Sequence, residues 1–254
     1  MTAQASGRVL HITLARPAVR NALDWESLEA LSSALTRLDA DEDLWVGVLT
    51  GSGSEAFCVG ADLKKLPAQA AAHAQRGIAV PPTPLSGHAP SKPLVCALNG
   101  DALGGGLELA LGCDLRLAAE HAVLGLPEAR WSLVPGGSGT WRLPREVGSS
   151  RALALMLQGI TISAATASSW GLLCAVVPAD RLEDETAAVV ERILRCGPLA
   201  TRAIKRLVAD ASTSSLAVAL EAERSALASL QSTDDAREGI TAFTEHRAPA
   251  WTAR

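Results

Sequence analysis

Between Lys92 and Asp114 the chain reads KPLVCALNGDALGGGLELALGCD, a string that few local structures accommodate. Leu94 to Leu98 is wholly apolar, which suits a strand buried on both faces, and Asn99, Gly100 and Asp101 follow as turn formers. Beyond the consecutive glycines Gly104, Gly105 and Gly106, the residues Leu107, Ala110 and Leu111 recur at helical spacing until Gly112 offers a stop. The stretch predicts strand, glycine turn, helix. The first N–H groups of a helix lack intrahelical partners and together carry about half a positive charge. Such a terminus can hold a phosphate, or an oxygen on which negative charge develops during a reaction. The phosphate version has signatures, GxxxxGK[ST] or GxGxxG with an acid about twenty residues on, and neither occurs. Instead Glu108 lies in the first turn, where an acid by itself reads as dipole stabilisation.

Two further stretches add chemistry. FCVGADLKKL, from Phe57 to Leu66, is a second apolar-to-glycine turn, followed by Asp62; LPEARWSLVPGGSGTWRLPR, from Leu126 to Arg145, places Glu128 directly after a proline. With GADLK, NGDALGGGLE and PEARWSLVPGGSGTWRL in this order, the chain resembles the crotonase (enoyl-CoA hydratase/isomerase) superfamily. The resemblance extends from about Arg16 to the C-terminal AFTEHRAP. It implies an α/β fold with a ββα spiral core over residues 1–180 and a C-terminal helical region, 181–254, for trimerisation and site cover.

The resemblance also assigns roles. The N–H groups of Ala61 and Gly105 would form an oxyanion hole for the thioester oxygen of an acyl-CoA, beside Gly104. Glu108 and Glu128 would be the acid/base pair, Glu108 orienting a water for attack on the β-carbon of a 2-enoyl thioester and Glu128 giving a proton to the α-carbon. Ala61, Asp62, Leu63 and Lys64 would follow the adenine and pantetheine, with Arg20 near the nucleotide. The implied reaction is hydration of a 2-enoyl-CoA to a 3-hydroxyacyl-CoA, with no metal and no redox cofactor, in a homotrimer or a hexamer of two trimers. A Δ3-Δ2 enoyl-CoA isomerase or another acyl-CoA lyase is the same-fold alternative, and a non-catalytic acyl-CoA-binding protein the alternative of a different class. Three positions depart from the family pattern: Trp141 where Gln is usual, Ser138 in place of Gly, and His246 where a lysine often approaches the CoA phosphate.

The 254 residues are enough for one large domain with a full core, and 48% hydrophobic with 20% charged residues marks a globular chain. A net charge of −4, without a basic run, gives no electrostatic case for nucleic acid or an anionic membrane. No apolar run approaches a membrane span and the first residues lack a signal-peptide pattern, so a cytoplasmic protein is the expectation. The five cysteines lack CxxC spacing and read mainly as buried thiols; the five histidines show no metal-binding pairing.

In chain order, Arg8 to Leu14 alternates as the first strand and Trp25 to Asp39 is an amphipathic helix capped by Asp24. Trp45 to Thr50 is the next strand, and this β, α, β order predicts a right-handed crossover between parallel strands. A helix beginning at Leu63 to Leu66 is expected to be disturbed by Pro67. Residues 68–91, rich in Ala and Pro with few large apolar anchors, read by themselves equally as a lid beside a site or as a plain surface loop, and the family resemblance favours the lid. Short strands are expected at Asp114 to Ala118, Val123 to Leu126 and Ala175 to Val177. Helix is expected over Leu143 to Leu157, broken near Gly148, and after the cap Ser163. Four helices follow: Leu182 to Arg195, Leu199 to Ala209, Leu216 to Leu230 and Asp234 to Glu245. No internal repeat is visible in the letters.

Overall fold

In the computed structural model, which describes residues 1–77, 83–87 and 89–254, the chain passes three times along one path: a strand of a large sheet, a tight turn, a short strand of a second sheet, then a helix. An antiparallel pair, β1 (Thr2–Ser6) and β2 (Val9–Leu14), opens the fold and α1 (Trp25–Ala40) follows. The first circuit takes β3 (Val46–Gly51), β4 (Ala56–Cys58) and α2 (Leu66–Ala74). The second takes β5 (Leu94–Leu98), β6 (Asp101–Leu103) and α3 (Gly105–Leu111). The third takes β7 (Leu115–Ala119) and β8 (Val123–Gly125), then a 3₁₀ turn at Glu128–Trp131 and α4 (Gly139–Val147). After α5 (Ser149–Gln158), β9 (Thr161–Ser163), α6 (Ala164–Ser169) and β10 (Ala175–Val177) complete the sheets. The chain ends in α7 (Leu182–Leu194), α8 (Pro198–Ala211), α9 (Leu216–Gln231) and α10 (Asp234–Thr244).

The large sheet runs β1-β2-β3-β5-β7-β10, parallel throughout except for β1 at its edge; the small one runs β4-β6-β8-β9, with only β9 antiparallel. Parallel strands are covered on both faces, which explains the uninterrupted apolar run of β5, buried at every position. One face of the large sheet presents Leu10, Ile12, Leu49, Cys96 and Leu98 to α1 and to the small sheet. The opposite face presents Val9, Val46, Val48, Val95 and Leu117 to Leu182 and Val190 of α7. Helices α8 and α9 pack chiefly on each other. Lys205 of α8 reaches back to the carbonyl of Lys92 and the carboxylate of Asp114.

Several sequence expectations shift. Strand β1 was not anticipated, because TAQAS is small, polar and largely exposed; it exists only by pairing with β2. Asp101, expected in a turn, begins β6. Pro67 occupies the first turn of α2 and starts that helix rather than disturbing it, since the N–H it lacks has no intrahelical partner there. Helix α4 begins at Gly139, before the expected Leu143, and contains Pro144. The ββα repetition is invisible in the letters, since the three circuits share only a path. Cys58, Cys96 and Cys113 are buried, but Cys174 and Cys196 are exposed. The lid reading of 68–91 falls partly on residues 78–82 and 88, outside the described residues; within the rest, Leu85 is a buried anchor that sequence reasoning did not credit. Among the described residues no helix is long and apolar enough to cross a membrane.

Candidate active site

Strands β4, β6 and β8 lie side by side and parallel, so their carboxyl ends open on one edge. Ala61 follows the end of β4, Gly105 and Glu108 follow β6, and Glu128 follows β8. Adjacent strands are about 4.8 Å apart, so the winding of the chain brings together residues far apart in sequence. The edge beyond the strand ends is also where open parallel sheets usually place their ligands.

The segment carrying Ala61 runs parallel to Leu23: the Leu23 N–H donates to the Gly60 carbonyl at 2.8 Å, and the Asp62 N–H donates to the Leu23 carbonyl at 2.8 Å. In such a bridge the middle residue directs its own N–H to the opposite side. On that side lies the start of α3, where a Cβ at Gly105 would stand 3.4 Å from the Gly60 Cα and 3.9 Å from the Ala61 nitrogen. Among the described residues, neither the Ala61 N–H nor the Gly105 N–H donates to a protein acceptor. Ala61 is exposed and Gly105 half-buried. The close approach of α3 to β4 rests on Gly106, because a Cβ there would come within 2.0 Å of the Cys58 carbonyl oxygen.

Glu108 is 4% exposed, on the first turn of α3. Its Oε1 accepts from the N–H groups of Gly137 and Gly139, each at 2.7 Å. Burial pushes its pKa above the ordinary 4.5, while those two donors pull it back toward the ionised form. Glu128 is half-buried, and its Oε2 is the one buried carboxylate oxygen among the described residues without a hydrogen-bond partner. Burial raises its pKa too; its own backbone N–H opposes this, and the charge of Glu108 adds to it. The two carboxyl groups therefore face one region with different surroundings. Both are pushed above the ordinary value by burial, but Glu108 has two N–H donors on one oxygen, whereas Glu128 has a buried oxygen with none. Glu128 Oε1 also lies 3.2 Å from where a Cβ of Gly104 would stand, and the φ of 53° at Gly104 favours glycine there.

The expected CoA-side residues are less alike in their surroundings. Asp62 is buried and held by Arg16 at 2.9 Å; that guanidinium, with the N–H groups of Lys65 and Lys64, keeps its carboxyl below the ordinary value of 3.8. Arg16 also pairs with Asp24 at 3.1 Å, so Asp62 serves to fix the Ala61 segment against the start of α1. Arg20 is exposed and pairs with Asp101, whose other oxygen accepts from the Val123 N–H. Leu63 and Lys64 are exposed. His246 is exposed at the end of α10, with a left-handed φ of 55°. Trp141 lies on the surface with the Arg145 guanidinium 4.0 Å from its ring centre.

Sequence reasoning did not find Gly137 and Gly139, the donors to Glu108. The signal was the paired glycines. A Cβ at Gly137 would lie 2.8 Å from Glu108 Oε2, and one at Gly139 2.9 Å from Glu108 Oε1, so only glycine lets the turn close on the carboxylate. Ser138 between them has φ 81°, which explains why the family pattern has glycine at this position.

A family model described as enoyl-CoA hydratase/isomerase matches residues 4–254. Among similar proteins, the (E)-benzylidenesuccinyl-CoA hydratase of Thauera aromatica is 37% identical over 99% of this chain and 98% of its own. The 2,3-dehydroadipyl-CoA hydratase of Escherichia coli K12 is 38% identical over 97% and 96%. The crystal structure of enoyl-CoA hydratase from Bacillus anthracis superposes with a TM-score of 0.92 at 36% identity, covering 100% of this chain and 99% of that one.

Proposed function

Because the chain belongs to the enoyl-CoA hydratase/isomerase family and is a hydratase-type lyase, we propose that it adds water across the double bond of a 2-enoyl-CoA thioester to give a 3-hydroxyacyl-CoA. The observation that carries this reading is the meeting of two unlike carboxyl groups, Glu108 and Glu128, beside the two undonated N–H groups of Ala61 and Gly105. Ionised Glu108 takes a proton from water as its oxygen attacks the β-carbon. The charge that moves onto the thioester oxygen is met by the N–H groups of Ala61 and Gly105, each such donor being worth about 3–4 kcal/mol in a transition state. Protonated Glu128 then delivers its proton to the α-carbon and the enolate collapses to product. A double-bond isomerase can work with a single carboxylate shuttling one proton, so the second acid favours hydration. Neither step calls for a metal or redox cofactor, and treatment with EDTA is expected to leave turnover unchanged.

Lys64 and Arg20 are proposed to face the CoA phosphates, Arg20 after exchanging its partner Asp101. Exposed Ile204, Val208, Ile240 and Phe243 support packing of the C-terminal helices against further copies of the chain, in a trimer or a pair of trimers. A cytoplasmic setting belongs to the same proposal.

The test is the loss of conjugated-thioester absorbance from crotonyl-CoA, for wild type, Glu108→Ala and Glu128→Ala. Hydration by wild type, slowed at least about 100-fold in each variant, is expected. A wild type that binds CoA esters without turning them over would leave a non-catalytic acyl-CoA binder; one that converts only 3-enoyl esters would leave the isomerase.

A further inference from the structure

Two non-glycine residues packed around α3, the helix of Glu108, adopt left-handed backbone: Leu85, with φ 70°, at its C-terminal end, and Ser138, with φ 81°, in the turn that donates to Glu108. Such conformations are uncommon outside glycine, and rarer still for a bulky residue such as leucine. They persist where the surroundings hold them. Both are held by the same side chain: Arg142, half-buried on the first turn of α4, donates through Nε to Ser138 Oγ at 3.0 Å and through Nη2 to the Leu85 carbonyl at 3.0 Å. Its Nη1 donates to the carbonyl of Leu111, at the C-terminal end of the helix that carries Glu108, at 3.3 Å. Leu85 itself packs against that helix end, where a Cβ on Gly112 would meet the Leu85 Cβ at 2.5 Å. Thr83, two residues earlier, is close to the carboxylate, its Cγ2 lying 3.1 Å from where a Cβ of Gly137 would stand.

We infer that Arg142 is a positioning residue for Glu108: its planar guanidinium ties the Gly137–Gly139 donor turn, the end of α3 and the Thr83–Leu85 segment into one rigid cradle around the carboxylate. The inference rests on the proposed role of Glu108 as the base. Ser138 gives the clamp its work, because glycine at that position would have no hydroxyl to grip and no left-handed strain to resist. An ammonium could reach one of these acceptors but not reproduce the fork that spans three of them.

The experiment compares wild type with Arg142→Met, Arg142→Lys and the double variant Arg142→Met/Ser138→Gly, all as full chains. Titration of Glu108 is followed by carboxyl ¹³C NMR with ¹³C-glutamate labelling, the signal assigned by its absence in Glu108→Gln. Weaker alignment of the Gly137 and Gly139 N–H groups removes stabilisation of the anion, so the midpoint should move up in Arg142→Met, with Glu128 the other titratable group facing it. The midpoint should rise less in Arg142→Lys, and return toward wild type in the double variant, where glycine adopts the turn unaided. With crotonyl-CoA, kcat should fall by up to about a hundredfold in Arg142→Met while KM changes less than about threefold, with partial recovery in the double variant. An unmoved midpoint and an unchanged kcat, with only the melting temperature lowered, would overturn the inference, as would a raised midpoint and a lowered kcat that Ser138→Gly does not relieve. The NMR titration needs no substrate, so a wild type inactive on crotonyl-CoA would count against the proposed function while the titration still judges the clamp.

Discussion

At the Glu128 side chain one carboxylate oxygen is buried without a partner, and burial together with the charge of Glu108 raises its pKa above 4.5. The folded state then binds that proton more tightly than the unfolded chain. This contribution to stability is complete below about pH 4.5 and is lost as pH rises through the folded value. Glu128→Gln should therefore melt at a higher temperature than wild type at pH 7 to 8, the difference shrinking toward zero near pH 4, while crotonyl-CoA turnover is lost. A variant less stable than wild type at pH 7 would show that the ionised carboxylate has a partner. Gly139→Ala tests the other acid. The added Cβ would lie 2.9 Å from both Glu108 Oε1 and Leu126 Cδ1, so the carboxylate must leave its donors. Steady-state kinetics should show kcat lowered by about 10- to 100-fold.

Among the elements, α3 is the one whose placement decides the site, and its seven residues are too few to be stable alone. It is held by its contacts: Gly106 lets it touch β4, and at its far end Arg116 donates to the carbonyls of Ala110 and Cys113 and pairs with Glu146. Gly106→Ala should cost at least about 2 kcal/mol, read by chemical denaturation, since the Cβ would meet backbone rather than a flexible side chain. Helix α1 makes the complementary case. Asp24 accepts from the Ser27 N–H at 3.1 Å and from Ser27 Oγ at 2.6 Å, and it pairs with Arg16, which also holds Asp62. Burial alone would raise its pKa, but the Ser27 bonds and the charges of Arg16 and Lys65 leave it below 3.8. Its stabilisation is thus present above that value and lost as pH falls through the folded one. Asp24→Ala should cost about 1–2 kcal/mol at pH 7 and less near pH 3, measured by denaturant titration at both.

For the molecule as a whole, the larger and smaller sheets and α1 to α7 enclose the cores, while α8 to α10 leave apolar side chains such as Phe243 and Ile240 at 83% and 72% exposure. If these are covered by other copies of the chain, Phe243→Asp should yield a smaller species in sedimentation equilibrium with unchanged far-ultraviolet circular dichroism. A wild type that is already monomeric would end the oligomer proposal.

What the sequence determined by itself is what neighbouring residues decide. The apolar run Leu94 to Leu98, the cap Asp24 and the four C-terminal helices were legible because periodicity and capping act over a few residues. Glu108 and Glu128 stood out only through the shared order of three motifs, since an acid at a helix start or after a proline is usually unremarkable. Tertiary structure alone decided that β1 is a strand and that β4, β6 and β8 bring three distant segments to one edge. It also decided that the N–H groups of Gly137 and Gly139 turn onto Glu108 and that one guanidinium reaches both Ser138 and Leu85. Apart from the β1–β2 pairing and the Arg142–Ser138 bond, those facts depend on contacts between residues about 20 to 60 positions apart, and no local pattern of letters encodes which of many such contacts the packed chain will make.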